Sequence, residues 1–266
     1  MNLRTILSGV LPDEKQRYLR DSFDVIGDIA VVTIPPELAD YGQEIALAVL
    51  SLRRNIRTVL ARASPVDRDE RVPGYEILVG SSTVTEHREF GYRYQLDLSE
   101  VFFTGRLSTE RRRVAGQVEP GERVLVPFCG VGPFVIPAAD RGASVTAVEN
   151  SPAAVRWLRE NLALNRVEER VRVLASDAFS LSHPAGAPFD RVICPTPYGK
   201  DEILDVLAPM VREGGMLHFY TFKSDRQIPG LISDFEKRGY SVLFHHRCGW
   251  VAPGIGRYVF DLRKGE

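Results

Sequence analysis

The sequence has few cysteines, no long apolar run and almost no net charge, and each absence excludes a class of protein. Its cysteines, Cys129, Cys194 and Cys248, are odd in number and lack metal-ligand spacing, which argues against a disulfide framework and a zinc site. No apolar run approaches the ~20 residues needed to span a bilayer, so no membrane contact is expected. The start of the chain lacks an apolar signal core, which indicates a cytoplasmic protein.

An excess of charge of one sign is also missing. With a net charge of −1, the whole protein cannot attract nucleic acid through its long-range field, so any RNA contact must come from local patches. Two basic patches are present, RRNIR (53–57) with Arg62, and RLSTERRR (106–113). Each can neutralise phosphates or can be a solvated helix face. The histidines show no spacing typical of a metal site, so no metal is predicted.

What the sequence does contain is an ordinary globular composition. Apolar residues make up 44% and charged residues 26% of 266 residues. This length suits one large domain, or one of ordinary size with a small one. We predict a small α+β domain over 1–97, in which FDVIGDIAVVTI is a strand pair or a bulged strand and a helix begins at PPELADYG. A connecting segment, 98–120, is expected to include a helix.

From residue 121 to 266, apolar strands alternate with helices. Buried strands in such an alternation predict a doubly wound, mostly parallel α/β sheet. Helices are expected from Pro133, from Asn150 or Ser151, over 201–212 and over 227–238. The predicted strands are ERVLVPF, SVTAVE (144–149), VRVLAS (171–176), FDRVICP (189–195), MLHFYTF (216–222), SVLFHH and RYVFDL.

The stretch VLVPFCGVGPFVIPAAD (124–140) is an apolar strand, a glycine turn and a helix start. It has neither a P-loop lysine nor the third small residue of a dinucleotide turn. Gly130 and Gly132 let the backbone approach a ligand, Glu149 ends the next strand where it can accept from a ribose diol, and Asp177 ends the third. Glycines and acids at three consecutive strand ends suggest a site for S-adenosylmethionine. In the alternative interpretation, the glycines only form a tight turn and the two acids are solvated.

Four motifs occur in order between residues 23 and 262: FDVIGDIAVV, FFTGRLSTERRR, FCGVGPFVIPAA and VAPGIGRYVFDL. With them the chain resembles the archaeal and eukaryotic tRNA (guanine-37 N1)-methyltransferase family. The resemblance implies a class I S-adenosylmethionine-dependent methyltransferase (Rossmann-like) fold, S-adenosylmethionine as cosubstrate and the tRNA anticodon stem-loop as partner; we expect a monomer. The chain is also similar to the aminocarboxypropyl transferases of the wybutosine pathway, but those tend to have tyrosine at Pro133.

The resemblance assigns the chemistry to two residues. Guanine N1 carries a proton at neutral pH, so its methylation needs a base and a group that holds charge on O6. Glu110 aligns with the family's general base, and Arg71 aligns with its base-contacting arginine. The residues alone favour a solvated helix residue paired with Arg113 or Arg106 for Glu110, and only the motif match reverses this; Arg71 can equally be a surface loop charge.

Two departures from the family pattern concern the site. The family has Asp-Met where this chain has Val126 and Pro127, and an asparagine that helps to hold the guanine where this chain has Pro195. Because proline donates no hydrogen bond, Thr196 or backbone groups would have to take over. Tyr198 can stack on a base or pack at the strand end.

We therefore expect two sets of contact residues and hold three hypotheses for function. The hypotheses are a tRNA methyltransferase acting at guanine 37, an aminocarboxypropyl transferase, and a catalytically silent RNA-binding paralogue. The expected cosubstrate contacts are Phe103, Arg106, Phe128, Gly130, Gly132, Glu149, Asn150, Asp177, Ala178 and Pro195. The expected substrate contacts are Thr196, Pro197, Tyr198, Arg111 and Arg113.

Overall fold

The computed structural model describes residues 2–62, 74–181 and 188–265. The chain divides into two compact units, Met1–Gly105 and Arg106–Glu266, and the division falls inside the predicted connecting segment 98–120.

In its described residues, 2–62 and 74–105, the first unit contains a four-stranded sheet, a two-stranded sheet, three α-helices and a 3-10 helix. The predicted strand pair is a hairpin, β1–β2, closed by Gly27 and Asp28. Gly27 has φ +58°, which suits glycine at the first position of a two-residue hairpin turn. The elements are α1 (Leu3–Ile6), α2 (Asp13–Gln16), β1 (Asp24–Ile26), β2 (Ile29–Val32), α3 (Gly42–Leu52), β3 (Thr58–Arg62), β4 (Tyr75–Val79), β5 (Val84–Glu89) and β6 (Tyr92–Asp97).

The four-stranded sheet has the order β1-β2-β3-β4, and α3 covers it. The helix expected from PPELADYG is divided: Pro36–Tyr41 is a 3-10 helix, and α3 begins at Gly42. Ile45, Ala46 and Val49 lie on the buried face of α3, because residues three and four apart share one side of a helix. Their packing against β2 and β3 forms the core of this unit.

Over residues 106–181 and 188–265, the second unit contains a seven-stranded sheet with the order β12-β13-β11-β10-β7-β8-β9. The strands β7 to β11 are parallel, and β13 pairs antiparallel with β11 and β12. The elements are α4 (Ser108–Ala115), β7 (Arg123–Pro127), α5 (Val135–Asp140), β8 (Ser144–Glu149), α6 (Pro152–Leu164), β9 (Val171–Ala175), β10 (Phe189–Cys194), α7 (Ile203–Leu207), β11 (Val211–Lys223), α8 (Ile228–Lys237), β12 (Tyr240–Ala252) and β13 (Ile255–Lys264).

This arrangement confirms the predicted doubly wound α/β class, and it locates the ligand edge. The strand order reverses between β7 and β10, so the chain leaves the two strands in opposite directions and a crevice opens beyond their carboxyl ends. Open α/β sheets bind ligands in this crevice. The glycine turn follows β7 directly.

Two predicted helix boundaries are wrong. The helix expected from Pro133 begins at Val135, because residues up to Phe134 still belong to the glycine turn. The helix expected over 201–212 is only α7 followed by a 3-10 turn, Ala208–Met210, which contains a proline. Strand β11 begins directly afterwards, at Val211, and includes Gly214 and Gly215.

The two faces of β11 and β13 differ in chemistry. On one face, Phe219 and Phe260 meet Phe235 of α8 at ring-centroid distances of 6.0 and 5.1 Å, within the apolar core. Side chains alternate between faces along a strand, so His218 and Asp261 project from the opposite face. That second face is polar although it is buried.

Candidate active site

Gly130 and Gly132 have different roles in the turn after β7. Both adopt positive φ, +55° and +97°. A Cβ built on Gly132 would lie 2.7 Å from Cδ1 of Leu158, so glycine is needed there for the approach of α6. A Cβ built on Gly130 would meet no atom within 4 Å. Gly130 therefore borders open space, where a ligand can approach the backbone.

The acid at the end of β8 lies beside the turn, as the sequence predicts. The backbone N–H of Gly130 donates to Oε2 of Glu149 at 2.9 Å. The N–H groups of Asn150 and Ser151 donate to Oε1 at 3.0 Å each. A carboxylate has about four lone-pair sites. Glu149 is thus held rigidly and can still accept a hydrogen bond from a hydroxyl group.

The loop after β9 supplies an apolar wall next to this acid. Asp177 is exposed, and its carboxylate accepts from the N–H of Phe179 at 3.0 Å, capping the 3-10 helix Ala178–Ser180. Ala178 is buried. The ring of Phe179 lies edge-on to the ring of Phe128, at 6.1 Å between centroids. Phe179 was missed by the sequence reasoning, although an aromatic residue two positions after a strand-end acid is a usable signal.

The segment after β10 contains Pro195, Thr196, Pro197 and Tyr198. Thr196 is buried, and its hydroxyl lies 3.3 Å from the carbonyl oxygen of Cys194 and 3.2 Å from the sulfur. Its side chain is thus engaged within the loop. Tyr198 is 63% exposed, and its ring lies 5.3 Å from that of Phe222 on β11. Burial raises the pKa of the Cys194 thiol to about 12, so this cysteine is not a nucleophile.

Glu110 is buried, with 5% of its surface exposed, and this excludes the solvated helix residue of the sequence analysis. Its carboxylate accepts from Nε and Nη2 of Arg113 at 3.0 to 3.2 Å. Tyr220 donates its hydroxyl at 3.3 Å, and Nε2 of His246 lies 3.0 Å away. The side chain is fixed by contacts from α4, β11 and β12.

These contacts belong to a larger buried polar network. Arg113 also pairs with Asp261, at 2.5 Å between Nη1 and Oδ2. Asp261 lies 2.7 Å from Nδ1 of His218, and Nε2 of that ring lies 2.7 Å from Nη1 of Arg191. Arginine can only donate, so Nε2 accepts and Nδ1–H donates to the carboxylate. His218 is therefore neutral.

The pKa shifts in the network agree with this assignment. Burial lowers the pKa of His218, against the opposing effect of Asp261. Burial alone would raise the pKa of Asp261, but hydrogen bonds from His218 and Arg113 hold it well below its usual range. The carboxylate stays ionised while the imidazole stays neutral.

An aromatic contact joins the network to the glycine turn. The ring of Tyr220, which donates to Glu110, lies 5.4 Å from the ring of Phe134 at the end of the turn. Both rings are buried. Burial and the charge of Glu110 raise the pKa of Tyr220, so its hydroxyl remains a donor. Glu110 is thus held at a fixed position relative to the residues that follow β7.

The other predicted contact residues are four arginines and Phe103, and they differ in burial and in the unit to which they belong. Arg111 is 2% exposed, and Arg113 is used in ion pairs, so neither offers its guanidinium openly to a ligand. Arg106 is exposed at the start of the second unit. Phe103 is buried in the first unit, with its ring 5.0 Å from that of His87. Arg71 lies outside the described residues.

Within the described ranges, 2–62, 74–181 and 188–265, no group of three or more histidine, cysteine, aspartate or glutamate side chains could hold a metal ion. In the same ranges, none of the helices has the length and apolar character required to cross a membrane.

Residues 85–241 match the family model of the TRM5/TYW2 methyltransferase domain. The chain belongs to this family. Residues 3–83 match a second model, the TYW2 N-terminal domain. The TRM5/TYW2 assignment agrees with the resemblance carried by the four motifs, and the strand order and glycine turn provide its structural basis.

Two sequence matches and one solved structure illustrate the similarity. The tRNA (guanine(37)-N(1))-methyltransferase Trm5b of Pyrococcus abyssi is 36% identical over 80% of this chain, which spans 63% of that relative. The tRNA(Phe) (4-demethylwyosine(37)-C(7)) aminocarboxypropyltransferase of Pyrococcus horikoshii is 32% identical, over 98% of this chain and 95% of its own. The crystal structure of P. horikoshii TYW2 in complex with MeSAdo has a TM-score of 0.78 and 28% identity, over 98% and 97% of the two chains.

Proposed function

We propose that the protein is an S-adenosylmethionine-dependent tRNA methyltransferase that forms N1-methylguanosine at position 37. The observation that carries the proposal is the hydrogen bond between the Gly130 N–H and the carboxylate of Glu149. It unites the glycine turn with the acidic strand end at the ligand edge of the sheet. Relatives named as methyltransferases of guanine 37 supply the substrate class.

The residues present fit the cosubstrate. Gly130 leaves open space over the turn, Glu149 keeps acceptor capacity for a ribose hydroxyl, and Phe128 with Phe179 offers an apolar wall for a purine. Asp177 is exposed at the next strand end, where its second oxygen can accept from an amino group. Gly132, Asn150, Ala178 and Pro195 flank these groups. When bound, S-adenosylmethionine would supply the methyl group.

Glu110 serves as the base in this proposal. Its carboxylate would accept the proton from guanine N1, while Arg113, Tyr220 and His246 fix its orientation. Arg71 would steady O6, a role that it takes from the family resemblance. Arg106 and Pro197 keep their expected roles as contact residues, whereas the burial of Phe103, Arg111 and Thr196 counts against theirs.

The RNA partner is proposed to be the anticodon stem-loop. In the first unit, a groove of about 1000 Å³ is lined by Arg54, Arg57 and Arg88 among others. Arg57 and Arg88 have 85% and 75% of their side chains exposed, so both can reach phosphates. We expect the protein to act as a monomer in the cytoplasm.

The direct test is incubation with undermodified tRNA and labelled S-adenosylmethionine, followed by nucleoside mass spectrometry. The expected nucleoside is N1-methylguanosine, with S-adenosylhomocysteine as the by-product. Labelled methyl groups in any other nucleoside would contradict the assignment of guanine 37 as the target. Cosubstrate binding without turnover on any tRNA would favour the silent RNA-binding paralogue.

One observation favours a second candidate, the aminocarboxypropyl transferase of wybutosine biosynthesis. The first unit matches the TYW2 N-terminal domain, and the P. horikoshii transferase is similar over nearly its whole length. Pro133, where transferases of this kind tend to have tyrosine, favours methylation. The by-product separates the two reactions, because aminocarboxypropyl transfer would release methylthioadenosine.

A further inference from the structure

A half-buried arginine, Arg257, projects from the same face of the sheet as the contacts of Glu110. In the strand register, Tyr220 lies opposite Val259, which lies opposite His246, and both Tyr220 and His246 contact Glu110. Arg257 comes two residues before Val259, so it shares that face. It lies ~7 Å further along the strand, toward the carboxyl ends of the parallel strands.

Among the residues that the structure describes, Arg257 has no acidic partner of its own. Within the part of the chain that the structure describes, no carboxylate is at ion-pair distance from its guanidinium. By contrast, Arg113 pairs with Asp261, and Arg191 pairs with Glu122 at 2.8 Å. Burial lowers the pKa of Arg257, although arginine remains charged at neutral pH. A charge removed from water without a counter-ion is unfavourable, which indicates that a ligand completes this site.

Aromatic rings fix the orientation of the guanidinium. It lies 4.7 Å from the ring centroid of Phe222, the residue directly opposite in the register. On the same Phe222, the exposed ring of Tyr198 packs at 5.3 Å. A stacked guanidinium keeps its N–H donors in its own plane, free to point past the ring. The N–H donors of Arg257 and the exposed ring of Tyr198 therefore lie on the same aromatic residue, Phe222. Hydrogen-bond donors beside an aromatic ring are a combination that recognises an unpaired base.

We propose that Arg257 donates hydrogen bonds to the O6 oxygen of the target guanine while Tyr198 stacks on that base. The inference rests on the proposed function and deepens it, because it adds to Arg71 a second arginine that contacts O6 and reads the base. As Glu110 takes the N1 proton, negative charge develops on O6, and a guanidinium stabilises it. Adenine has an amino group in place of O6. Its N–H groups would face the N–H donors of Arg257 with no acceptor between them, so adenine would be rejected.

The test compares two anticodon stem-loop RNAs, with guanosine or with 2-aminopurine riboside, which lacks O6, at the target position. The wild-type protein is expected to bind the guanosine RNA about tenfold more tightly. Arg257→Gln should lose most of this preference and keep the part that comes from the N1–H group, which faces Glu110 and which 2-aminopurine also lacks. Arg257→Lys should recover only part of the loss. Arg263→Gln, an exposed arginine on the same strand, is the matched control and should discriminate like the wild type.

Other results would overturn the inference. Full discrimination in a folded Arg257→Gln protein excludes the contact with O6. If that variant binds both RNAs more weakly by the same factor, and the slope of log affinity against log salt concentration falls by about one phosphate's worth, Arg257 contacts a phosphate instead. Thermal midpoints identify unfolded variants, and Arg257→Lys then carries the test because it keeps the charge.

Methyl transfer by the wild-type protein, measured in parallel, tests the proposed function separately. If methyl transfer is absent but discrimination between the two RNAs depends on Arg257, the proposed methyltransferase activity is wrong and the proposed base contact is supported. If transfer occurs and discrimination is independent of Arg257, only the inference falls.

Discussion

At the scale of single residues, Glu110 shows how a fold sets the position of a reactive group. Its own helix supplies only Arg113; the other contacts come from Tyr220 on β11 and His246 on β12. Arg113 is itself held by Asp261 on β13. Such a carboxylate cannot rotate freely, which suits a base that must meet one particular proton.

Glu110→Gln is expected to slow methyl transfer by about 10²- to 10⁴-fold, because the amide cannot accept the N1 proton. Cosubstrate affinity should stay within about twofold, since Glu110 does not line the glycine turn. Single-turnover rates and calorimetric titration measure the two effects. Glu119→Gln, an exposed glutamate, is the control and should turn over normally. Normal turnover in the Glu110 variant would refute its role as base.

His218 makes stability depend on pH. Its pKa in the folded protein is lowered by burial, whereas in the unfolded chain it is near the ordinary value of ~6.5. Below that pH the unfolded chain binds a proton that the folded protein does not, so stability falls as pH decreases, by at most about 1.4 kcal/mol per pH unit.

We therefore expect the denaturant midpoint of unfolding to decrease between pH 7.5 and 5.5, and the decrease to be smaller in His218→Gln. His245→Gln replaces an exposed histidine and should keep the wild-type pH dependence. An identical slope in the His218 variant would mean that another group titrates.

At the scale of elements, the glycine turn combines a packing requirement with a binding requirement. Gly132 must lack a side chain because α6 approaches it through Leu158. Gly130 faces open space, so its lack of a side chain serves the ligand instead. The same residue type is thus needed for two reasons that substitution can separate.

Gly132→Ala is expected to lower the free energy of unfolding by about 1–3 kcal/mol, because the backbone strain at positive φ is added to a clash. Gly130→Ala should lower the free energy of unfolding by only about 1–2 kcal/mol, because it adds backbone strain at positive φ but no clash. It should also weaken S-adenosylmethionine binding at least tenfold. Thermal unfolding and calorimetry of both variants test the separation. Equal cosubstrate affinities in the two variants would contradict it.

At the scale of the whole molecule, a net charge of −1 leaves RNA binding to local patches. Arg54 and Arg57 line one groove of the first unit. The predicted patch at 106–113 is less available, because Arg111 is buried and Arg113 is ion-paired. The first patch is therefore the better candidate for binding phosphates.

The logarithm of tRNA affinity should fall linearly with the logarithm of salt concentration. The double variant Arg54→Gln with Arg57→Gln should reduce this slope by about 1.5, or roughly 0.7–0.9 for each phosphate that is no longer neutralised. Arg141→Gln with Arg159→Gln removes the same charge from exposed positions elsewhere and should leave the slope nearly unchanged. A flat salt response in the wild type would count against RNA binding by these residues.

Much of the fold was predictable because local patterns encode it. The alternation of apolar strands and helices indicated the parallel sheet, and FDVIGDIAVVTI indicated a strand pair or a bulged strand, of which the structure contains the pair. Helix ends were less predictable. Pro133 has the features of a first helical residue, but the turn continues to Phe134, and the helix expected over 201–212 ends early at Ala208–Met210.

The sequence by itself determined the fold class, the family motifs and the nearness of Glu149 to Gly130, because parallel strands end at one edge of a sheet. Only the tertiary structure decided which polar residues meet across strands. The burial of Glu110, the neutral state of His218 and the position of Arg257 beside Phe222 depend on the registers of β11, β13 and β12, which join residues far apart in the chain. Short-range patterns do not fix those registers; packing of the assembled sheet does.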